Sequence, residues 1–387
     1  MTLRILILGN INSTFILNYV KVLKAKMDCE IDIFTEPIRS QEKEYVKLFI
    51  KYFDNIYEIS KYPNEILSRI PKIRGILQLK NMAKQIDNLG IYNICHIHYL
   101  SIEYGYLYKQ IRNRCKKLVI SIWGSDFYRS KWWEKKIQYR VIKYAHEIIF
   151  TTNQMSEEFG KYFRKIDKVK LKVRSFGLVI LGILREIEHI SKKDCKESLN
   201  IPTNSIVVTC GNNASQVNQH IKMINSIETV IHKLPDNILF LFPFTYGPVR
   251  KYFLKVKGLL DKSNLNYRIL TDYLDDYKIA QLRKASDIMI NLPISDQLSG
   301  SMQENLYTGN IIITGDWLPY KILEEKGIFM LKVSSVGEVG EKLLYSVNNL
   351  RKLKESCKGN SQIIWNISSW DKNIDNWIQM YIELLQS

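Results

Sequence analysis

Leu3-Arg4-Ile5-Leu6-Ile7-Leu8-Gly9-Asn10, followed by Phe15, Ile16, Tyr19, Val20 and Leu23, is the stretch that decides the fold class. The first six residues form a short apolar run closed by a turn, and the later apolar positions recur with the period of an amphipathic helix. Strand, turn and helix in that order make a βα unit. Working outward, further strands are predicted at Glu30–Phe34, Asn93–His98, Leu118–Ile122 and Glu147–Thr151, each followed by a polar turn and an amphipathic stretch. Such a series predicts a parallel sheet covered by helices on both faces.

The pattern blurs over residues 191–204, where Ser191-Lys192-Lys193-Asp194, Asn200 and Pro202-Thr203-Asn204 supply turn and cap chemistry, and a linker is expected there. It restarts with a strand at Ser205–Cys210, a turn at Gly211-Asn212-Asn213 and a helix at Ile221–Ile231. Later strands are expected at Ile238–Phe242, Tyr267–Leu270, Ile288–Leu292 and Ile311–Ile313, with helices at Val249–Leu260, Asp276–Ala285 and Ser301–Thr308. The predicted organisation is an α/β domain over 1–190, a second over 191–369, and a helix over 370–387 packing against the body through Trp377, Met380, Tyr381 and Leu384. Ligands of such sheets bind outside the carboxyl ends of the strands, so the site is expected in a cleft between the two domains.

With 387 residues, 46% apolar and 25% charged, the chain can bury a full core, which excludes disordered and fibrous classes. Its apolar runs, such as Phe176–Leu184, reach about half the roughly 20 residues of a membrane-crossing helix. No span is expected. The first residues lack the features of a signal peptide, and the expectation is a cytoplasmic protein. Six scattered cysteines without C-x-x-C spacing suit reduced thiols, not a disulfide or zinc scaffold. The formal charge of +17 is uneven: residues 1–190 hold 33 Lys and Arg against 19 Asp and Glu, net +14, and the remainder 23 against 20, net +3. Residues 101–190 alone carry net +10, so part of the first domain is expected to meet something anionic.

The most specific local signal is Asp296-Gln-Leu-Ser299-Gly300-Ser301-Met-Gln-Glu304-Asn-Leu-Tyr-Thr-Gly309, with a strand before it and a helix inside it. Free N–H groups and the positive dipole end at the helix start would suit a diphosphate, Gly300 permits close approach, and an acidic side chain one turn on would accept ribose hydroxyls. A ligand-free reading stands beside it. Ser301-x-x-Glu304 is a capping box pattern and Gly309 a helix C-cap.

Residues 267–320 resemble the donor-binding half of GT-B glycosyltransferases of family 4, on the spacing of Asp296 and Glu304 followed by Leu306-Tyr307-Thr308-Gly309-Asn310-Ile311-Ile312-Ile313-Thr314-Gly315, with Tyr273-Leu274 and Lys284-Ala285-Ser286-Asp287 upstream. Trp123-Gly124-Ser125-Asp126, Cys210-Gly211-Asn212-Asn213-Ala214-Ser215 and Pro243-Phe244-Thr245-Tyr246-Gly247 also look similar to bacterial 4-acetamido-4,6-dideoxygalactose transferases of surface polysaccharide synthesis. The resemblance implies two Rossmann-like domains facing each other. It implies that Asp296 faces the donor sugar, that Ser299, Gly300 and Ser301 hold the diphosphate, that Glu304 binds the ribose and that Leu274 lies near the base. Gly9, Asn10, Gly211, Asn212, Asn213 and Tyr246 complete the expected donor set. Where family 4 has Arg after the turn glycine and Lys about six residues later, this chain has Asn212 and Asn218. Phosphate charge would then fall to backbone amides, the asparagines, His220 or Arg250, or donor binding would be weak. No essential metal and no cofactor are expected beyond a UDP- or dTDP-linked sugar as donor substrate.

Candidate catalytic groups lie in the first domain. His96 and His98 share one sheet face and are either core histidines or cleft groups, with His98 the candidate. Asp126 is either the base that takes an acceptor proton or a helix N-cap. Arg129, Lys131, Trp132, Trp133, Lys135, Lys136 and Lys143 combine cations with large aromatics on a helix, which suits an anionic membrane interface or a solvated helix with its aromatics inside.

The function expected from these residues and from the resemblance is a metal-independent hexosyltransferase acting on a lipid-linked or surface-polysaccharide oligosaccharide of the capsule or O-antigen kind. It would be held at the inner face of the plasma membrane by anionic phospholipid. The alternatives are a GT-B sugar-nucleotide epimerase, a non-catalytic GT-B scaffold, and a basic nucleic-acid-binding protein. No zinc finger, RNA-recognition signature or basic heptad supports the last, and no nucleic-acid partner is expected.

Overall fold

The structure, a computed structural model, describes residues 2–39, 43–60, 71–245 and 250–386. The chain divides into two compact units, one of residues 1–177 with 373–387 and the other of residues 178–372.

In the first unit, β1 (Leu3–Leu8), β2 (Cys29–Thr35), β3 (Asn55–Glu58), β4 (Tyr92–His98), β5 (Cys115–Ser121), β6 (Glu147–Phe150) and β7 (Leu171–Val173) form a parallel sheet in the order β3-β2-β1-β4-β5-β6-β7. The second unit's sheet runs β10 (Tyr267–Leu270), β9 (Ile238–Pro243), β8 (Ile206–Cys210), β11 (Ile288–Asn291), β12 (Ile311–Gly315), β13 (Leu331–Val333), again all parallel. In both sheets the strand order reverses once, between β1 and β4 and between β8 and β11. A doubly wound sheet opens its ligand crevice at that reversal, outside the carboxyl ends.

Parallel strands covered on both faces should be apolar on both, and they are. Ile288 and Ile290 of β11, with Ile311 and Ile313 of β12, enter one core beside Val208 and Phe240, whereas Met289 and Ile312 point the other way, into a core with Met302 and Leu306. Each such side chain contributes roughly 1.5–3 kcal/mol on burial.

The helices that bear on the sites are α1 (Thr14–Lys26), α2 (Ser125–Tyr128), α3 (Trp132–Ile142), α4 (Val179–Glu186), α5 (Lys192–Ser198), α6 (His220–Glu228), α7 (Asp276–Ala285), α8 (Gly300–Tyr307), α9 (Asn360–Ser368) and α10 (Trp370–Gln386). Residues 191–204 are not a linker. Ser191 caps α5 in a capping box with Asp194, and Cys195 and Ile201 are buried in the second unit's core. The division falls at Gly177/Leu178 because α4, just beyond it, packs Leu181 and Leu184 with Met302 and Leu306 of the second unit. From Asn373 onward α10 belongs to the first unit, where Trp377, Met380 and Tyr381 are fully buried.

Candidate functional site

At the reversal in the first unit, Gly9 follows β1 and His98 ends β4. A Cβ on Gly9 would lie 2.7 Å from Ile16 Cδ1 and 3.3 Å from His98 Cβ, so the glycine lets these two turns close on each other. Asn10 is spent on the start of α1: its Oδ1 accepts from the Asn12 N–H at 2.9 Å and its carbonyl from Ser13. His96 is buried and satisfied, Nδ1 against the Tyr381 hydroxyl at 2.6 Å and Nε2 against Ser121 Oγ at 2.8 Å.

His98 differs. It is 1% exposed, and neither ring nitrogen has a hydrogen-bond partner among the described residues. Aromatic rings surround it, those of Tyr19, Phe176 and Trp123 with centroids at 5.3, 5.9 and 6.3 Å. Burial pulls its pKa down to about 3, so it is a neutral imidazole at pH 7. The indole Nε1 of Trp123 is likewise buried and unpartnered among the described residues. The spacing of α1 places Phe15 on the core face, but it is 41% exposed and packs edge-on against Trp123 at 5.2 Å.

Asp126 is 3% exposed inside α2, and its two oxygens accept the Leu100 N–H at 2.8 Å and the Trp123 N–H at 2.9 Å. Gln138 of α3 donates to the Leu100 carbonyl at 2.7 Å. Together they tie the loop after β4, where Tyr99 holds a φ of 72°, to the loop after β5. Asp126 is neither the N-cap, which is Gly124, nor a free carboxylate. Burial raises it to about 6, against the backbone N–H groups that lower it.

On α3, Trp132 and Trp133 are 65% and 41% exposed, so these aromatics are not in the core. Lys136 lies over the Trp132 ring at 4.6 Å, and Lys135 over Phe127 and Tyr162 at 4.2 and 4.4 Å. Arg129, Lys131 and Lys143 are exposed, Lys143 reaching over Tyr144 at 4.9 Å.

At the reversal in the second unit, Gly211 follows β8 with φ +69°, and a Cβ there would meet His220 Nε2 at 2.7 Å. Asn218, which stands where the family pattern has a lysine, is 3% exposed and donates to Asn213 Oδ1 at 2.9 Å. It braces the turn from inside, while Asn212 stays half-exposed. His220 is buried and drawn down to about 3 by burial, so it brings no positive charge at neutral pH. Tyr246 lies outside the described residues. Leu274 is half-buried against the core of Cys195, Val207 and Leu282.

Asp296 receives the Tyr320 hydroxyl, which in turn accepts from Asn291 Nδ2 at 2.9 Å. Burial raises its pKa, and the Tyr320 hydroxyl and nearby backbone N–H groups oppose the shift. The capping box expected from Ser301 and Glu304 is absent: Ser299 caps α8, its Oγ accepting from Met302 N at 3.3 Å. Glu304 instead accepts from Arg283 Nε at 2.9 Å in a pair whose side chains are 10% and 9% exposed. Ser301 Oγ, in the first turn, is buried without a partner among the described residues. Gly309 does end α8, at φ +70°, with Asn310 N–H returning to the Asn305 carbonyl and Gly309 N–H to that of Leu306.

The residues missed by sequence reasoning are the partners: Arg283 and Tyr320 around the acidic pair, and Tyr19, Phe176 and Tyr381 around the histidines. They come from 21 to nearly 300 positions away, with no local pattern to mark them. Among the described residues, no group of three or more His, Cys, Asp or Glu could hold a metal ion, and no helix is long and apolar enough to cross a membrane.

Residues 4–153 match the family described as glycosyl transferase 4-like. No curated protein matches the chain in sequence. Among solved structures, a glycosyltransferase from Rickettsia africae is similar at 15% identity and a TM-score of 0.73, covering 100% of this chain and 99% of that one. Sucrose-phosphate synthase from Thermosynechococcus elongatus is similar at 12% identity, a TM-score of 0.76 and 99% coverage of both chains. Anabaena HepE, solved in complex with UDP-glucose, is similar at 12% identity, a TM-score of 0.70 and 99% coverage of both. With two all-parallel α/β units and these neighbours along its whole length, the chain has the GT-B fold, and its first 4–153 stretch carries sequence similarity to glycosyl transferase 4-like proteins.

Proposed function

We propose that this chain is a metal-independent glycosyltransferase that moves a hexose-type sugar from a UDP- or dTDP-linked donor to a lipid-linked or surface-polysaccharide oligosaccharide. The acceptor hydroxyl oxygen bonds to the anomeric carbon while the bond from that carbon to the diphosphate oxygen breaks. The diphosphate leaves with the electron pair, and the hydroxyl proton goes to a base or to the leaving phosphate. The observation that carries the reading is Ser301 Oγ, a buried hydroxyl without a partner among the described residues, in the first turn of α8 beside Gly300. A diphosphate there would accept its proton together with the N–H groups and positive dipole end of the helix. Similarity to HepE, solved with UDP-glucose, points the same way.

In this reading Glu304, oriented by Arg283, faces the ribose, and Asp296, oriented by Tyr320, faces the donor sugar. Gly211, Asn212 and Asn213 present backbone to the phosphates. His98, neutral and unpartnered among the described residues, offers one donor and one acceptor to a sugar hydroxyl, and Asp126 is a positioning residue for the loops beside it. The exposed Trp132 and Trp133, with Lys131, Lys136, Arg129 and Lys143 around them, bind the anionic inner leaflet, where a polyprenyl-linked acceptor resides.

A calorimetric panel of nucleoside diphosphates tests the donor site. One of them should bind saturably, and Ser301→Ala should weaken it at least fivefold with an unchanged melting point, because the hydroxyl has no described protein partner to lose. A chain that binds no nucleotide is not this enzyme. Co-sedimentation with phosphatidylglycerol vesicles tests the membrane face: Trp132→Ala/Trp133→Ala/Lys136→Gln should cut binding several-fold, and unchanged binding removes α3 as the contact.

A further inference from the structure

The second unit holds a cavity of about 870 Å³ on the edge of its sheet opposite the candidate donor site. Gly211 and Ser299 follow the carboxyl ends of β8 and β11, whereas this cavity is bordered by Asn310, just before β12, and by Lys192, whose ammonium meets Asp287 just before β11. Its wall carries five cations, Arg185, Lys192, Lys284, Lys354 and Lys372, against two carboxylates, Glu188 and Asp371.

Among the described residues, protein anions neutralise only part of this charge. Lys192 and Lys196 share one carboxylate, Asp287, which Lys196 reaches at 3.9 Å. Among the described residues, Lys354 donates only to uncharged oxygens, Gly309 O and Asn310 Oδ1, each at 3.0 Å, and Lys284 only to the carbonyls of Ile187 and Glu188, each at 2.9 Å. Burial, and then Lys192, draws Lys354 down to about 7, while Asp287 opposes the shift. Arg185 lies 4.5 Å over the ring of Trp365 and 3.9 Å from Asp371, on the exposed rim. The indole and Tyr307 give the wall an aromatic side suited to a ring.

We propose that this cavity binds a phosphate dianion, free or as the monoester of a small sugar, with Lys284, Lys354 and Arg185 on the phosphate and Trp365 beside the ring. The inference is independent of the donor reading, since it uses none of the same residues.

Titration calorimetry on the full chain with inorganic phosphate, glucose 1-phosphate and glucose, at fixed ionic strength and with or without saturating UDP, tests it. Saturable binding of glucose 1-phosphate is expected, unaffected by UDP and absent for glucose. Inorganic phosphate binding as tightly would identify free phosphate as the ligand; binding more weakly, it would identify the ester. Arg185→Gln/Lys284→Gln should weaken binding at least tenfold. Ser361→Trp, which keeps every charge and puts a bulky ring into the cavity wall, should also weaken binding and covers the case in which the first variant fails to fold. The proposal is overturned if inorganic phosphate and glucose 1-phosphate both fail to bind the wild-type chain, if UDP competes with them, or if folded Ser361→Trp keeps full affinity.

Discussion

Glu304, proposed to face the ribose, is also held by the fold through Arg283. The pair is buried, so removing the carboxylate leaves a guanidinium without a counter-charge inside the protein. Glu304→Ala should therefore destabilise the chain by about 3 kcal/mol or more, seen as a lower denaturation midpoint, whatever it does to nucleotide binding. Glu304→Gln keeps the volume and one acceptor oxygen. The ribose assignment is best read from that variant: its affinity for the bound nucleoside diphosphate should fall several-fold at a temperature where it remains folded, and an unchanged affinity would reject the assignment. Gly211 makes the complementary case. Its φ is +69°, and a Cβ at this position would stand 2.7 Å from His220 Nε2, so Gly211→Ala combines backbone strain with overpacking. A loss of about 2 kcal/mol is expected in urea denaturation.

At the scale of elements, α10 is the instructive one. Its Tyr381 hydroxyl joins Tyr19 at 2.8 Å and His96 at 2.6 Å in a fully buried chain, so Tyr381→Phe takes the partner from the buried His96 Nδ1 and should cost about 1–3 kcal/mol in denaturant melts. A variant as stable as the wild type would mean that His96 finds another partner. The helix itself was legible from the spacing of Trp377, Met380, Tyr381 and Leu384, since burial of one face imposes that period. So were the central strands of both sheets, whose two buried faces demand unbroken apolar runs. The strands that escaped, β3, β7 and β13, all lie at sheet edges, are three or four residues long and have half-exposed positions, so no period forces their composition. The false linker at 191–204 has a related cause: Ser191 and Asp194 are cap residues, and cap chemistry reads the same in a helix start as in a loop. For the site, the residues that follow strands at the two reversals were readable because chain order fixes them. Their partners were not, because an ion pair such as Arg283 with Glu304 is written in three dimensions only.

For the molecule as a whole, buried histidines set the response to acid. Burial holds His98 and His220 at about 3, below the ordinary 6.5, so each is neutral when folded and takes up a proton only when the chain unfolds. A depressed folded value means stability that is fully present above 6.5 and is lost as pH falls toward 3. At pH 5 the loss is about 2 kcal/mol for each. Asp126 acts in the opposite sense: its folded value is raised to about 6, so its cost to the folded state is relieved as pH falls from 6 toward 3.8, returning about 1 kcal/mol at pH 5. For these three groups together the expectation between pH 7 and pH 5 is a loss of roughly 2–3 kcal/mol, and His96, which burial also holds well below 6.5, adds to it, so the urea midpoint at constant ionic strength should fall. His98→Phe, which keeps an aromatic ring among Tyr19, Phe176 and Trp123, should remove about 2 kcal/mol of the histidine contribution and flatten the curve. If the midpoint does not move across this interval, or if His98→Phe keeps the full wild-type slope, His98 is charged or solvated in the folded chain and its role as a neutral group poised for a sugar hydroxyl fails with it.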